Sequence, residues 1–511
     1  MNTFTELDKQ QISDHGLNKD QVEYQINKFI SGFPPSDLQK PALVGDGIVK
    51  FSEDQLEAFV KFYEENLAKL KIIKFVPASG AASRMFKNLF SFIDEYKGTE
   101  DDYSKLTSKQ GKGTMYAFFK GLENFAFYND LKDEFKNQSL EESQLKKGYV
   151  EILKKLLTEE GLDYGNLPKG LLQFHQYGEI SRTPVEEHMM EGAQYAQNVT
   201  GEVNIHFTVS PEHQAKFEEH IAEIKSIYEN QFRIKINISY SQQKPSTDTI
   251  AVDLANEPFR NTDGSLLFRP AGHGALLSNL NDIDADIIFL KNIDNVVPDK
   301  LKGKTITYKK VIAGVLLQYQ QKIKSVANDL QQGGTIEKAR ELIKELGLIF
   351  PLSFDSLSDE EKRTLLMEKL TRPLRICGMV KNDGDTGGGP FWVKSSDGSV
   401  SLQVVETAQI DLNNTAQKEI AGKASHFNPV DVVCSLKDYN GQKLDLMKHR
   451  DMDTCFISQK SKDGKDLRAM ELPGLWNGSM ADWNTVFVEV PLITFNPVKS
   501  VTDLLEPEHQ G

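Results

Sequence analysis

Ile72-Ile73-Lys74-Phe75-Val76 runs straight into Pro77-Ala78-Ser79-Gly80-Ala81-Ala82-Ser83-Arg84. A short run rich in β-branched and aromatic residues, closed by a turn of small ones, reads as a buried strand ending in a tight βα turn. Such turns bring backbone N–H groups close to phosphates, because small residues let the main chain approach the ligand. Ser83 adds a hydroxyl and Arg84 a fixed cation. The segment is not a P-loop, since Gly-x-x-x-x-Gly-Lys-Ser/Thr is absent. A tight turn that holds no ligand is the other reading of the same residues.

Working outward, residues 1–70 read as helical, with a Ser52-x-x-Gln55 capping box ahead of Leu56, Phe59, Val60 and Tyr63. From about 88 to 166 the chain is charged and helical, without strand signals. Alternation then returns. Pro184 opens a helix, Glu202 to Val209 reads as a strand, Pro211 to Tyr228 as a helix, Phe232 to Ser241 as a strand, and Asp286 to Ile293 as a further apolar strand. Residues 301–370 are helical and polar. Leu374 to Val380, Phe391 to Lys394 and Leu402 to Glu406 read as strands, and 412–511 mixes short strands with loops. This alternation predicts a doubly wound α/β sheet.

Composition narrows the function. The 511 residues carry 60 basic against 74 acidic side chains, a formal net charge of −14. That balance argues against a general nucleic-acid binder, which needs a basic face. Cys377, Cys434 and Cys455 are the three cysteines, with no C-x-x-C, which points to a reducing compartment. Met1-Asn2-Thr3-Phe4-Thr5-Glu6 has neither the basic nor the apolar region of a signal peptide, and no apolar stretch reaches the ~18 residues of a membrane span. The expectation is a cytoplasmic protein that binds neither nucleic acid nor membrane.

Several short segments share one resemblance. Ala78-Ser79-Gly80-Ala81-Ala82-Ser83-Arg84-Met85 resembles the Ala-Gly-Gly-x-Gly-Thr-Arg-Leu signature of sugar nucleotidyltransferases, with Ser79 and Ala82 where glycines are expected. Pro168-Lys169-Gly170-Leu171-Leu172 and Pro184-Val185-Glu186-Glu187-His188 look like its continuation, although 84 residues separate Arg84 from Lys169. Further along, Gln242-Gln243-Lys244-Pro245 is similar to the base-recognition segment of UDP-sugar pyrophosphorylases, and Arg269-Pro270-Ala271-Gly272-His273-Gly274 to their Pro-x-Gly-His-Gly run. Asn292-Ile293-Asp294-Asn295 resembles the strand end that carries their metal-binding aspartate. Val404-Val405-Glu406 looks like the strand that offers a glutamate to the sugar, and Phe495-Asn496-Pro497-Val498-Lys499 like Phe-x-Pro-Val-Lys. The order is kept over residues 75–505. The chain as a whole looks like a bacterial family of unknown function within that superfamily.

The resemblance implies a Rossmann-like, mixed and mostly parallel sheet of the nucleotidyltransferase, or glycosyltransferase-A-like, type with helical insertions. It divides the chain into an N-terminal extension (1–70), a nucleotide-binding half (71–300, with the insertion 88–166), a helical insertion (301–370) and a sugar-binding half (371–511). It implies a nucleoside triphosphate and a sugar phosphate as substrates and Mg²⁺ as cofactor. Arg84, Lys169 and Lys499 would hold phosphates in the reaction. Ser79, Gly80, Ala81, Ser83, Gln243, Gly272, His273 and Gly274 would contact the nucleotide, and Glu406, Gly388 and Asn428 the sugar. Asp294 would bind Mg²⁺, with a second ligand at Asn428 or Asp431, of which Asp431 is the carboxylate. These residue types suit the chemistry. A sugar-1-phosphate is already an ionised nucleophile, so its transfer needs positioning and charge neutralisation rather than a Ser–His pair.

The loop Asp383-Gly384-Asp385-Thr386-Gly387-Gly388-Gly389 suits a backbone that wraps an anion or sugar, or else a hairpin connection. Glu187, His188 and Glu191 fall at helical spacing, which tempts a metal reading, but the di-iron Glu-x-x-His order is absent. Two other classes remain beside the pyrophosphorylase: a nucleotide-binding protein that has lost turnover, and a small-molecule kinase or ATPase, for which no kinase motif is present.

Overall fold

The computed structural model describes all residues except 1–3, 81, 136–138, 146–147, 383 and 385–386. Ala81 of the small-residue turn and Asp383, Asp385 and Thr386 of the glycine-rich loop therefore lie outside the described residues. The chain divides into two compact units. The smaller comprises Ile73–Gln242, Lys291–Tyr308 and Leu492–Gly511; the larger comprises Met1–Ile72, Gln243–Leu290 and Lys309–Pro491.

The smaller unit is built on β1 (Ile72–Pro77), α1 (Pro184–Tyr195), β2 (Glu202–Thr208), α2 (Pro211–Phe232) and β3 (Lys235–Ser241). The three strands are parallel, with Lys74 opposite Ile205 and Glu202 opposite Lys235. Val76, Ile205, Phe207 and Ile236 pack with Met189 of α1 and Phe217 of α2 into one core. Helix α1 starts on a capping box: the Thr183 hydroxyl accepts the Glu186 N–H, and the Glu186 carboxylate accepts the Thr183 N–H, with Pro184 in the first turn. Helix α2 runs to Phe232 and stops at Arg233, which adopts a left-handed conformation at φ 55°. The strand expected from Phe232 thus begins at Lys235, because the stop is made by a non-glycine residue with no sequence signal.

Residues 88–166 form a helical subdomain of the smaller unit, as the sequence suggests. Its aromatic cluster buries Phe86, Phe118, Phe125 and Phe127, and the same cluster takes in Val296 and Val498. Each such buried side chain contributes about 1.5–3 kcal/mol, so the segments around residues 296 and 498 are firmly anchored.

The larger unit contains β4 (Ile287–Leu290), β5 (Leu374–Lys381), β6 (Val432–Ser435) and β7 (Asn484–Glu489). Strand β5 is parallel to β7, while β6 is antiparallel to both β4 and β5. The protein is therefore a mixed α/β fold, with parallel pairing through β1, β2 and β3 and between β5 and β7, and antiparallel pairing at β6. Helices Lys302–Gln331, Ile336–Glu345 and Asp359–Leu370 fill the region 301–370. The expected capping box at Ser52 forms at the head of helix Glu53–Asn66. Residues 1–70 are not wholly helical, however. Pro34, Pro35, Pro41, Gly45 and Gly47 interrupt the helical pattern, and Asp37–Pro41 instead pairs with Phe391–Lys394 as an antiparallel strand.

Candidate active site

In the smaller unit the turn after β1 leads into a short 3₁₀ segment, Ala82–Arg84. Ser79 is half-buried, whereas Gly80, Ser83 and Arg84 are exposed. Ala82 is fully buried within the aromatic cluster, so its methyl group serves packing. Among the described residues the Arg84 guanidinium makes no hydrogen bond or ion pair.

Three segments far apart in sequence meet nearby in the same unit. The Lys169 ammonium donates to Asp294 Oδ2 at 2.8 Å and to the Val498 carbonyl at 2.7 Å. The Val498 N–H donates to the Asp294 carbonyl, and Asn496 N–H to Asn295 Oδ1 at 2.9 Å. Asn295 and Pro497 form an antiparallel bridge. Lys169 and Asp294 are 16 % and 19 % exposed, so the pair is reachable by a ligand. Gly170 follows because nothing larger fits: a β-carbon there would lie 2.9 Å from Phe217 and 3.2 Å from Ile293. Lys499 is exposed, with its ammonium 5.9 Å from the Phe495 ring centroid and its N–H on Asp503.

The larger unit brings together a second group. His273 Nδ1 accepts the Leu475 N–H at 2.9 Å, which leaves the proton on Nε2, 3.4 Å from Glu406 Oε1. The imidazole stacks on Trp476 with centroids 4.3 Å apart at 12°. Asn477 Nδ2 also donates to Glu406 Oε1. His273, aided by burial-opposing contacts of this kind, holds the Glu406 carboxyl below its ordinary range. Gly272 has φ 74°, and a β-carbon on Gly274 would lie 2.1 Å from the Pro473 carbonyl oxygen. The turn thus lies flush against the segment that supplies Trp476 and Asn477, two residues that the sequence reading missed.

The remaining candidates belong to the same larger unit. Gly388 accepts the Asn428 N–H at 2.9 Å, while the Asn428 amide is spent on the Gly378 carbonyl and the Val430 N–H. Asp431 is 2 % exposed and ion-paired with the fully buried Lys309. Gln243 is half-buried and donates to Asp248 at 3.2 Å.

A family model matches residues 5–510. The chain belongs to the family described as Domain of unknown function (DUF4301). No curated protein matches it. This DUF4301 chain is similar to a mutant UDP-glucose pyrophosphorylase from Leishmania major in complex with UDP-glucose, at 11 % identity over 98 % of this chain and 79 % of that one, with a TM-score of 0.46. It is also similar to the uridine diphosphate N-acetylglucosamine pyrophosphorylase from Trypanosoma brucei in complex with inhibitor, at 11 % identity, the same two coverages and a TM-score of 0.48.

The DUF4301 chain also buries Glu187, His188 and Glu191 together with cationic partners that the sequence did not flag. Glu191 on α1 bonds Lys74 at 2.8 Å and Lys291 at 2.7 Å, and all three are buried. Burial alone would raise the Glu191 carboxyl, but the two ammonium groups hold it well below the carboxylate range. Glu187 accepts from His175, Tyr177 and Lys302. His188 donates from Nε2 to the Asn292 and Ile293 carbonyls, at 3.2 Å each. Burial, with Lys74 beside it, pushes its imidazole far below the usual range and keeps it neutral. A lysine inside the apolar run Ile72 to Val76 was the one visible signal, since lysine is seldom buried unless paired.

Proposed function

We propose that the protein is a Mg²⁺-dependent nucleotidyltransferase that joins a sugar-1-phosphate to a nucleoside triphosphate, UTP foremost, and releases pyrophosphate. The observation that carries the reading is the contact of Lys169 with Asp294 and Val498. Those residues come from three separate motifs, each resembling a nucleotidyltransferase segment, and they converge on one partly exposed point.

A sugar-phosphate oxygen attacks the α-phosphorus, and the bond from that phosphorus to the pyrophosphate oxygen breaks. Lys169, with Arg84 and Lys499, supplies cations for the phosphate oxygens as charge moves onto the leaving group. Ser79, Gly80 and Ser83 border the triphosphate. Gln243 reads the base through its amide, and Gly272 to Gly274 approach the nucleoside. Glu406, oriented by His273 and Asn477, meets sugar hydroxyls, and Gly388 completes that side, with Asn428, whose amide is spent on Gly378 and Val430, holding the backbone there.

Mg²⁺ suits the donor set. It takes one or two protein carboxylates and fills its remaining positions with water and phosphate oxygens, and Asp294 is such a carboxylate. Among the described residues no group of three or more His, Cys, Asp or Glu is placed to hold a metal, as zinc would ask. When bound, the ion would neutralise charge on the phosphates. Of the two carboxylates expected to hold it, Asp294 is the accessible one, at 19 % against 2 % for Asp431.

Among the described residues no helix is long and apolar enough to cross a membrane. All three cysteines are free and buried, which supports a reducing, cytoplasmic setting. A protein that binds nucleotide without turnover is the second reading, favoured by Ser79, whose side chain narrows the turn where a glycine was expected.

A thermal-shift panel with Mg²⁺, four nucleoside triphosphates and UDP-, GDP- and ADP-sugars tests both. A ligand at a hundredfold excess over its Kd stabilises the folded state by about 2.7 kcal/mol. A selective shift with one nucleotide and its sugar conjugate, followed by pyrophosphate release with the matching sugar phosphate, supports the enzyme. A shift without release supports the binding protein, and no shift removes both.

A further inference from the structure

Helix α1 presents three fully buried polar side chains, Glu187, His188 and Glu191, to a single short segment. Glu191 takes Lys291 at 2.7 Å. His188 holds the carbonyls of Asn292 and Ile293 at 3.2 Å. Glu187 takes Lys302, whose ammonium also binds the Val297 carbonyl at 2.8 Å and Asp299 at 2.9 Å. Asp294 lies between these fixings, next in sequence to a carbonyl that His188 holds. The helix itself is pinned: Lys74 of β1 donates to Glu191 and to the His188 carbonyl at 3.0 Å, and His175 and Tyr177 donate to Glu187 at 2.8 and 2.7 Å.

Burying this many polar groups is costly unless each one is bonded. An apolar helix face would pack on the same segment without that cost, but it would not fix the direction of individual carbonyls. We infer that α1 is a positioning clamp for Asp294, with His188 as its central positioning residue: by holding the Asn292 and Ile293 carbonyls, it aims the following carboxylate at its ligand. The inference rests on the proposed role of Asp294 toward a metal–nucleotide complex. Glu187, His188 and Glu191, whose spacing lacks the di-iron order, act on the main chain of the ligand-bearing segment.

Imidazole geometry supplies the test. A glutamine places its amide nitrogen where His188 Nε2 sits, and an asparagine places it where Nδ1 sits, an atom with no hydrogen-bond partner among the described residues. The full chain is titrated with the Mn²⁺–UTP complex by calorimetry, as wild type, His188→Gln, His188→Asn and Asp294→Ala, and amide exchange over residues 292–296 is followed without ligand. His188→Asn is expected to weaken binding about tenfold, as loss of an outer-shell contact to a metal site does, and to speed exchange over 292–296. His188→Gln is expected to keep both close to wild type. Wild-type binding and exchange in His188→Asn overturn the clamp while Asp294 keeps its role. If Asp294→Ala binds as well as wild type, the role of Asp294 falls and the inference with it. Should His188→Asn not fold, Lys291→Met leaves the Lys74–Glu191 pair charge-balanced. It is expected to show the same weakening and local exchange, and wild-type behaviour there also overturns the clamp.

Discussion

The Lys169 ammonium binds the carboxylate of Asp294 across 125 residues of sequence, at 2.8 Å. One cation serves both that carboxylate and the Val498 carbonyl, a geometry that suits the compact ammonium better than a planar guanidinium. Lys169→Met is expected to lower pyrophosphate release by about a hundredfold or more. The pair is largely but not wholly buried, so its loss should cost on the order of 1 kcal/mol of stability. Pyrophosphate release and a thermal melt on the same preparation check both, and retained turnover would make Lys169 structural.

Asp294→Ala is expected to abolish Mg²⁺-dependent turnover with the circular dichroism spectrum unchanged. A rate that still rises with Mg²⁺ as in the wild type would take the metal away from this residue.

Gly170→Ala places a β-carbon 2.9 Å from Phe217 and 3.2 Å from Ile293. Overpacking of this kind costs about 1–3 kcal/mol, to be read from the urea midpoint at unchanged slope. Turnover should fall as well, since the displaced turn carries Lys169. A neutral substitution would mean that Phe217 moves aside freely.

Gln243→Ala is expected to relax preference among the four nucleoside triphosphates in pyrophosphate release. An equal loss with each of them would assign the side chain to its 3.2 Å bond with Asp248.

His206 is buried on β2 between the hydroxyls of Ser239 and Ser241, stacked on Phe75, and burial pushes its imidazole down to about 4. The unfolded chain takes up this proton first as pH falls. The stabilising contribution is therefore whole above about pH 6.5, the unfolded value, and drains away toward pH 4. Going from pH 7 to pH 5 should cost about 2 kcal/mol from this group. His206→Gln should flatten the fall of Tm between those pH values, and an unchanged slope would show that His206 takes no part in the acid sensitivity.

The strand ends were legible because each combines an apolar run with a local change of composition: Ile72 to Val76 before small residues, and Ile287 to Leu290 before Asn292-Ile293-Asp294-Asn295. The convergence of Lys169, Asp294 and Val498 was legible only as shared resemblance, since no local pattern encodes a contact over 329 residues. Of the buried cations only Lys74 left a trace, as a lysine inside an apolar run, and the pairing of all four was not legible. Lys74, Lys291, Lys302 and Lys309 look like surface residues by type, and their partners Glu191, Glu187 and Asp431 stand elsewhere in the chain. Trp476 and Asn477 escaped for a similar reason: a stacking ring and an amide matter here only because the backbone folds back to His273. The short strand at Asp37–Pro41 was hidden by its charged residues, and its partner Phe391–Lys394 lies far downstream.

The bond from Lys169 to the Val498 carbonyl also sets a schedule. A ribosome adding about 5–20 residues per second needs roughly a quarter of a minute to a minute to travel the 329 residues between them. Throughout that interval Lys169 already exists in the nascent chain, and Asp294 joins it before Val498 does. A pair of opposite charges is thus available early, while the main-chain strand that seals it arrives late. Closure of this three-way contact therefore waits for Val498 and comes in one step, rather than accumulating as each segment appears.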